Sequence, residues 1–294
     1  VMGLAAYGEP KFYETLSETI FFKNDKLILD TAYYDFVRSI KRSYSDKLNK
    51  IFNIKERESN KPLDLDSPNF KEYANIAASA QKVTENLLKE IFNYAHKLTG
   101  ENKFIFSGGV AMNSVAINEI AKLSFIKKII IPPSPGDSGA AVGAAYYAYI
   151  KKNTNSKPKA EIKNSLVPGL FKNNSTDESF FLINYEKIAE KNNLIDVAAE
   201  LISKNEIIAT CYKNIETGPR ALGHRSMICN AHSISAVKHL NENIKKRSKF
   251  RPVAPVVLEQ NAKKYFLLSD KIYQSYFCMG SIAEVINSKT IEGV

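Results

Sequence analysis

Cationic residues suited to holding phosphate groups recur in the last third of the sequence. They are Arg220, His224, Arg225, Lys245, Arg247 and Arg251. A guanidinium group is planar and donates two parallel hydrogen bonds to a phosphate, which makes arginine the better residue for this task. If the bound phosphate groups react, Arg220, Arg225 and Arg251 would be catalytic, by neutralising negative charge in the transition state. His224 lies between two of these arginines, where it either orients a phosphate or packs within the loop.

The positive charge of the chain is concentrated around these residues. The net charge is +10, and residues 213–251 hold nine Lys and Arg against two Glu. Such a cluster beside Gly218-Pro219-Arg220 indicates an anion site, although a solvated basic face is the alternative. A nucleic-acid-binding module predicts aromatic residues among the basic ones, and Phe250 is the one aromatic residue inside the cluster, with Tyr212 next to it. We therefore expect no nucleic-acid partner.

Two glycine-rich turns lie in similar contexts near the middle of the sequence. Phe104–Phe106 leads into Ser107-Gly108-Gly109 and a helical pattern, and Ile129–Ile131 leads into a second turn, 135–139, and a second helical pattern. This order is typical of an α/β nucleotide site, because glycine lets N–H groups approach a phosphate and helix N-termini attract anions. We expect nucleotide binding by Ser107, Gly108, Gly109, Asn113, Gly136, Asp137 and Gly139. For the first turn, the alternative is a tight turn without a ligand. For the second turn, the alternative is a helix N-cap by Asp137 or Ser138, and for Asn113 it is a polar residue that merely starts a helix.

Asp137, in the second turn, is also a candidate metal ligand. Its carboxylate is a hard oxygen donor of the kind that Mg²⁺, Mn²⁺ and Fe²⁺ bind. One carboxylate does not make a metal site, so further donors are required. From the residues alone, Asp137 is therefore a candidate ligand and not yet a metal site.

The remaining pattern predicts an α/β protein. The clearest helix is Glu72–Leu98, whose apolar residues recur at helical spacing before Gly100 ends it. The other expected elements are a hairpin around Asn24-Asp25, helices at 196–204 and 234–247, and strands at 206–212, 226–229 and 250–258. The polar stretch 151–164 predicts a linker, which divides the chain into domains 1–160 and 161–294.

Composition places the chain among soluble globular proteins. Hydrophobic residues make up 44% and charged residues 24% of the 294 residues, and no apolar run reaches the length of a membrane span. The three cysteines, Cys211, Cys229 and Cys278, are far apart and form no CxxC pair. This usage is typical of a reducing cytoplasm and argues against a disulfide framework. We therefore expect a cytoplasmic protein with no membrane partner.

Four stretches together resemble the carbamoyltransferase family that includes nodulation and antibiotic-tailoring O-carbamoyltransferases. MGLAAYG at 2–8 resembles the family's MGLAPYG, and SGGVAMNS at 107–114 and PGDSGAAVGAA at 135–145 resemble its nucleotide-site motifs. ETGPRALGHRS at 216–226, with FRPVAP at 250–255, resembles its second-domain signature and is the most specific of the four. The matches extend over essentially the whole chain.

The resemblance implies a fold, a reaction and partners. The first domain would be the C-terminal lobe of an actin-like ATPase domain, similar to the threonylcarbamoyl transferase. The second would resemble the domain that makes carbamoyl-type adenylates. In the family, carbamoyl phosphate and ATP give carbamoyl-adenylate and pyrophosphate, and a hydroxyl of a sugar or natural product is then carbamoylated at the first domain. Asp137 maps onto the aspartate of a metal site with two histidines. The resemblance thus implies a divalent metal, Fe²⁺ or Mg²⁺/Mn²⁺, in the full-length protein, and weak or no metal binding by this chain alone.

The sequence departs from the family pattern in three ways. The family's HxxxH pair should precede Met2, but none of His96, His224, His232 and His239 forms such a pair. The family's Asp-Gly-Thr-Ala-Arg stretch is absent, and Asn230-Ala231-His232 stands where Asp-Pro-Arg is typical. We therefore expect a fragment that does not complete the reaction alone. Another actin-like ATP-dependent transferase or a sugar kinase is the alternative enzyme, although the motifs at 216–226 and 250–255 disfavour it.

Overall fold

A computed structural model describes residues 1–57, 63–153, 166–167, 191–211, 215–216 and 218–287. Its α-helices are α1 Met2–Ala5, α2 Tyr13–Ser17, α3 Asp46–Phe52, α4 Phe70–Thr99, α5 Ser114–Ala121, α6 Gly139–Lys152, α7 Lys191–Ser203, α8 Ile234–His239, α9 Glu259–Tyr265 and α10 Tyr273–Tyr276. Its strands are β1 Ile20–Lys23, β2 Lys26–Leu29, β3 Lys103–Ile105, β4 Lys128–Ile130, β5 Leu166–Val167, β6 Ile208–Cys211, β7 Ile215–Glu216, β8 Arg225–Ile228, β9 Phe266–Leu267 and β10 Glu284–Val285. The mixed α/β class expected from the sequence is confirmed.

The strands pair into five two-stranded sheets within the described residues. β3 and β4 are parallel, and the pairs β1–β2, β5–β7, β6–β8 and β9–β10 are antiparallel. The hairpin β1–β2 turns at Asn24 and Asp25, both with positive φ, as the sequence predicts. The actin-like assignment of the first domain and the adenylate-forming assignment of the second stay predictions.

The long helix α4 packs against the β3–α5–β4 unit to form the main core. Leu88 and Phe92 of α4 contact a cluster of buried isoleucines that comprises Ile117, Ile120, Ile126, Ile129, Ile131 and Ile272. Burial of each such side chain stabilises the fold by about 1.5–3 kcal/mol. Gly100 ends α4 in the left-handed conformation at φ 70°, as its position after the last apolar residue predicts. This core fixes the ends of β3 and β4, from which both glycine turns depart.

Two predicted elements differ from the structure. The helical pattern after the first glycine turn divides into a 3₁₀ turn, Gly109–Met112, and α5, because Asn113 interrupts the helix and caps α5. The predicted strand 250–258 is wrong, since residues 251–258 form no strand or helix. Pro252 and Pro255 lack the N–H groups that a sheet ladder needs, which accounts for the absence of strand pairing in this segment.

Phe250 connects the last third of the chain with its beginning. Its ring lies 6.2 Å from the ring of Tyr7 and 5.9 Å from that of Phe70, measured between centroids. The backbone N–H of the preceding Lys249 donates to Oδ1 of Asp64 at 3.0 Å. The FRPV segment is therefore anchored on the MGLAAYG loop and α4. The predicted linker 151–164 falls largely outside the described residues, so the division into domains 1–160 and 161–294 stays a prediction.

None of the helices in the described ranges is long and apolar enough to cross a membrane.

Candidate phosphate and nucleotide site

The two glycine turns are joined by hydrogen bonds at the ends of the parallel strands. The backbone N–H of Gly108 donates to the carbonyl of Pro135 at 2.7 Å, and Oγ of Ser107 donates to the same oxygen at 3.0 Å. Gly108 has φ +103°, a conformation that side chains rarely adopt, so glycine is required at this position. The two predicted turns are thus in direct contact, and Gly109 opens the 3₁₀ turn that follows.

The second turn begins α6 through its backbone. Gly139 N–H donates to the carbonyl of Gly136 at 2.9 Å, and Ala140 N–H donates to that of Asp137 at 3.0 Å. Ser138 is the N-cap residue, but its hydroxyl lies 2.6 Å from that of Ser134 and makes no capping hydrogen bond. The turn packs against the first one, because a Cβ at Gly136 would lie 3.5 Å from Cε of Met112.

Asn113 has its side chain engaged within the protein. Its Oδ1 accepts from Ala116 N–H at 3.1 Å and so caps α5, and its Nδ2 donates to Oε1 of Gln81 at 2.9 Å. Gln81 is buried on α4 and also donates to Oε1 of Glu85 at 2.9 Å. The predicted contact of Asn113 with ribose or phosphate would have to replace one of these bonds, and it stays a prediction.

Asp137 is exposed at the mouth of the second turn. Within the described ranges, no group of three His, Cys, Asp or Glu side chains is arranged to hold a metal ion. The residues present therefore do not form a metal site, since a single carboxylate leaves most coordination positions without a protein ligand. Asp137 as a metal ligand stays a prediction that needs donors beyond these residues.

The basic loop 218–226 contacts the second glycine turn. Gly218 has φ +115°, and a Cβ there would lie 2.6 Å from the carbonyl oxygen of Pro133. Nη2 of Arg220 reaches the carbonyl of Met112 at 3.5 Å. Arg220 lines a small crevice together with Met112 and Pro135, and residues 278–280 close its far side. The structure thus brings one predicted phosphate-binding arginine to the 3₁₀ turn that follows the first glycine turn and beside Pro135, the first residue of the second.

Glu216 organises the basic loop and was not among the predicted site residues. Its Oε1 accepts from the backbone N–H groups of Leu222 at 3.0 Å, His224 at 2.7 Å and Arg225 at 3.0 Å. Burial acts to raise the pKa of Glu216, but these backbone hydrogen bonds outweigh it and hold the pKa below its usual value. The signal in the sequence that could have identified Glu216 is its position, as an acidic residue at the start of a basic, glycine-rich segment.

Arg247 and Arg251 form a second cationic position, organised by a buried asparagine. Nε of Arg247 donates to Oδ1 of Asn241 at 2.6 Å, and Nδ2 of Asn241 donates to the carbonyl of Arg251 at 3.0 Å. Burial and the nearby charge of Arg251 lower the pKa of Arg247 below its ordinary value. An anion bound near both guanidinium groups would offset the repulsion between them.

The six predicted cationic residues therefore fall into separate positions. Arg220 lies at the crevice, and His224 and Arg225 lie along the far side of the loop, where Arg225 begins β8 opposite Cys211. Lys245 is exposed at the end of the π-helical turn Leu240–Ile244. Arg247, Arg251 and Lys245 are not among the residues that line the crevice of Arg220. Their assignment to phosphate binding stays a prediction.

Comparison with known proteins identifies the family of the chain. Residues 1–146 match the carbamoyltransferase N-terminus model, and residues 199–293 match the carbamoyltransferase C-terminus model. The chain is 26% identical over 293 residues to nodulation protein NolNO of Sinorhizobium fredii, which covers 98% of this chain and 40% of that protein. It is 28% identical over 277 residues to an uncharacterized protein of Synechocystis, with 91% of this chain and 44% of that protein covered.

A further relative is nodulation protein U of Sinorhizobium fredii, 30% identical over 197 residues, with 65% of this chain and 33% of that protein covered. The chain spans 40% to 50% of the length of the first three relatives it matches. The N-terminus and C-terminus models match in that order along the chain, and the two matched ranges contain the glycine turns and the basic loop. The chain belongs to the carbamoyltransferase family.

Proposed function

We propose that the whole protein is an ATP-dependent O-carbamoyltransferase that works through a carbamoyl-adenylate. The observation that carries this proposal is the position of Arg220, a cation of the basic loop that lies against the carbonyl of Met112 and beside Pro135, next to the segments that contain the glycine turns. Family membership supplies the transferred group. The turns would hold the nucleotide, and the arginines would hold the phosphate groups that react or leave.

The proposed reaction has three steps. Water cleaves carbamoyl phosphate to carbamate and inorganic phosphate. A carbamate oxygen then attacks the α-phosphorus of ATP, the bond to the β-phosphate oxygen breaks, and pyrophosphate leaves. Finally the acceptor hydroxyl attacks the carbamoyl carbon, the hydroxyl proton passes to solvent or a base, and AMP leaves. No enzyme nucleophile takes part, so Arg220, Arg225 and Arg251 would act by stabilising negative charge.

The acceptor would be a hydroxyl of a sugar or of another natural product, as the family resemblance implies. The metal proposed for the full-length protein would have Asp137 as its ligand from this chain, and no step above depends on it. The cytoplasm supplies both ATP and carbamoyl phosphate, which fits the cysteine usage of the sequence.

Pyrophosphate exchange tests the proposal without knowledge of the acceptor. The natural full-length polypeptide that carries this sequence is incubated with ATP, carbamoyl phosphate and labelled pyrophosphate. We expect label in ATP only when carbamoyl phosphate is present, and a loss of about 10²-fold or more in Arg220→Ala. Lys127→Ala removes an exposed lysine remote from the loop and should leave exchange unchanged. A folded protein that binds ATP but catalyses no exchange contradicts the proposal and favours a kinase-like activity.

A further inference from the structure

We propose that Glu216 is a positioning residue that holds the basic loop in the geometry from which Arg220 and Arg225 contact phosphate. This inference deepens the proposed function and rests on it. Glu216 touches no reacting atom in the scheme above. Its effect passes through the backbone of residues 218–226.

Three backbone N–H groups converge on one carboxylate oxygen. Leu222, His224 and Arg225 all donate to Oε1 of Glu216 at 2.7–3.0 Å. Hydrogen bonds to an ionised acceptor are about twice as strong as those between neutral groups. The loop closes around this oxygen, so a single side chain fixes the backbone on both sides of His224.

The backbone of Glu216 is held from outside the loop. Glu216 ends β7, which pairs with β5 through Leu166 opposite Glu216. Gly223, between two of these donors, is held separately, because Thr210 Oγ1 donates to the carbonyl of Gly223 at 2.8 Å and Gly223 N–H donates to Oγ of Ser226 at 2.9 Å. Glu216 therefore holds residues 222, 224 and 225 through three hydrogen bonds, alongside the contacts that hold Gly223.

The backbone and the side chains of the loop therefore have different roles. Convergent N–H groups in a glycine-containing loop commonly bind phosphate. Here the N–H groups of Leu222, His224 and Arg225 already donate to Glu216. An incoming phosphate would therefore be bound by the guanidinium groups. Arg220 leaves the loop toward the glycine turns, and Arg225 leaves it at the start of β8. The direction of both side chains depends on the backbone that Glu216 fixes.

Hydrogen exchange tests the structural half of this proposal without any assay of activity. In the natural full-length polypeptide, we expect the amides of Leu222, His224 and Arg225 to exchange about 10-fold faster or more in Glu216→Ala, because each loses a charged acceptor. Glu216→Gln keeps an acceptor oxygen at the same place, so its rates should lie between those of the wild type and Glu216→Ala. Glu206→Ala removes an exposed carboxylate of the same region and should change none of the three.

Kinetics test the functional half. In carbamoyl-phosphate-dependent pyrophosphate exchange, kcat/KM should fall about 10- to 100-fold in Glu216→Ala, because loss of positioning has that cost. Glu216→Gln should recover most of the loss, because it keeps an acceptor oxygen for the same amides. Wild-type exchange of the amides around the core residues Leu88 and Phe92 in Glu216→Ala shows that the variant is folded. Unchanged amide exchange in Glu216→Ala overturns the proposal, whether or not the wild type is active. Faster amide exchange with unchanged kcat/KM, in an active wild type, overturns it too. A wild type without pyrophosphate exchange counts against the proposed function and hence against positioning for it.

Discussion

Asn241 and Arg247 are joined by a hydrogen bond of 2.6 Å, in which Nε of the guanidinium donates to the side-chain oxygen of the asparagine. Asn241 is 1% exposed, and its amide nitrogen donates to the carbonyl of Arg251 at 3.0 Å. One buried side chain thus connects both arginines of the second cationic position. A buried amide in this role is costly to remove, since its partners lose their hydrogen bonds together.

We expect Asn241→Ala to raise the KM for carbamoyl phosphate about 10-fold and to lower the free energy of unfolding by about 1–3 kcal/mol. Both effects follow from the loss of the acceptor for Arg247 and of the donor to Arg251. Steady-state exchange kinetics and urea unfolding measure them. The matched control is Asn243→Ala, an exposed asparagine in the same turn, which should change neither. A normal KM in a destabilised Asn241→Ala would show that the asparagine serves stability alone.

Arg251 should lower the stability of the unliganded protein while it favours anion binding. Burial and the charge of Arg251 hold the pKa of Arg247 below its ordinary value, so at neutral pH the folded protein carries an unfavourable pair of cations. We expect Arg251→Gln to stabilise the unliganded protein by at most about 0.5 kcal/mol, the size of an exposed like-charge pair. The same variant should lose the rise in unfolding temperature that pyrophosphate gives the wild type.

Thermal unfolding with and without pyrophosphate measures both effects of Arg251→Gln. Lys127→Gln removes a positive charge from an exposed position and should keep the full response to pyrophosphate. An Arg251→Gln protein that pyrophosphate still stabilises as strongly as the wild type would remove Arg251 from the anion site.

Gly218 should tolerate substitution less well than Gly223. Both have positive φ, +115° and +101°, but a Cβ at Gly218 would lie 2.6 Å from the carbonyl oxygen of Pro133, whereas nothing lies within 4 Å of one at Gly223. Gly223→Ala should therefore lower the free energy of unfolding by about 1–3 kcal/mol, the conformational cost of a side chain at positive φ, without a steric clash. Gly218→Ala adds displacement of the loop from the second glycine turn, so exchange activity should fall further. Equal unfolding free energies and equal activities for the two variants would contradict this contact.

Glu119 should stabilise the packing of α5 on α4 in a pH-dependent way. Its carboxylate accepts hydrogen bonds from Lys122 and, at 2.7 Å, from Lys89 of α4, and these bonds lower its pKa below the ordinary value of 4.5. A lowered pKa gives stability that is present above pH 4.5 and lost as the pH falls through the folded-state pKa.

The variant Glu119→Gln tests the pH dependence. It should unfold about 1 kcal/mol more easily than the wild type at pH 7, and the difference should shrink below pH 4. Urea unfolding at both values of pH measures it. Glu90→Gln, on the long helix α4, provides the control, since Glu90 is exposed and its side chain makes no hydrogen bond or ion pair within the described part of the chain. A difference that is the same at both values of pH would mean that the charge of Glu119 contributes nothing.

The sequence by itself determined the elements and the family. Periodic apolar residues fixed α4, and the order of apolar run, glycine turn and helix fixed the β3–α5–β4–α6 unit, because these signals are local. The motifs at 107–114, 135–145 and 216–226 were enough to indicate the carbamoyltransferase family. Local signals failed at 250–258, where β-prone residues are present but prolines prevent pairing.

The tertiary structure decided which residues meet. The contact of Arg220 with Met112 joins positions 108 residues apart, and the anchoring of Lys249 on Asp64 joins positions 185 apart. No local propensity encodes such distances, since they depend on how α4, the glycine turns and the basic loop pack together. Glu216 and Asn241 gained their roles in the same way, because a carboxylate or an amide becomes an organising group only when folding brings several donors and acceptors to it.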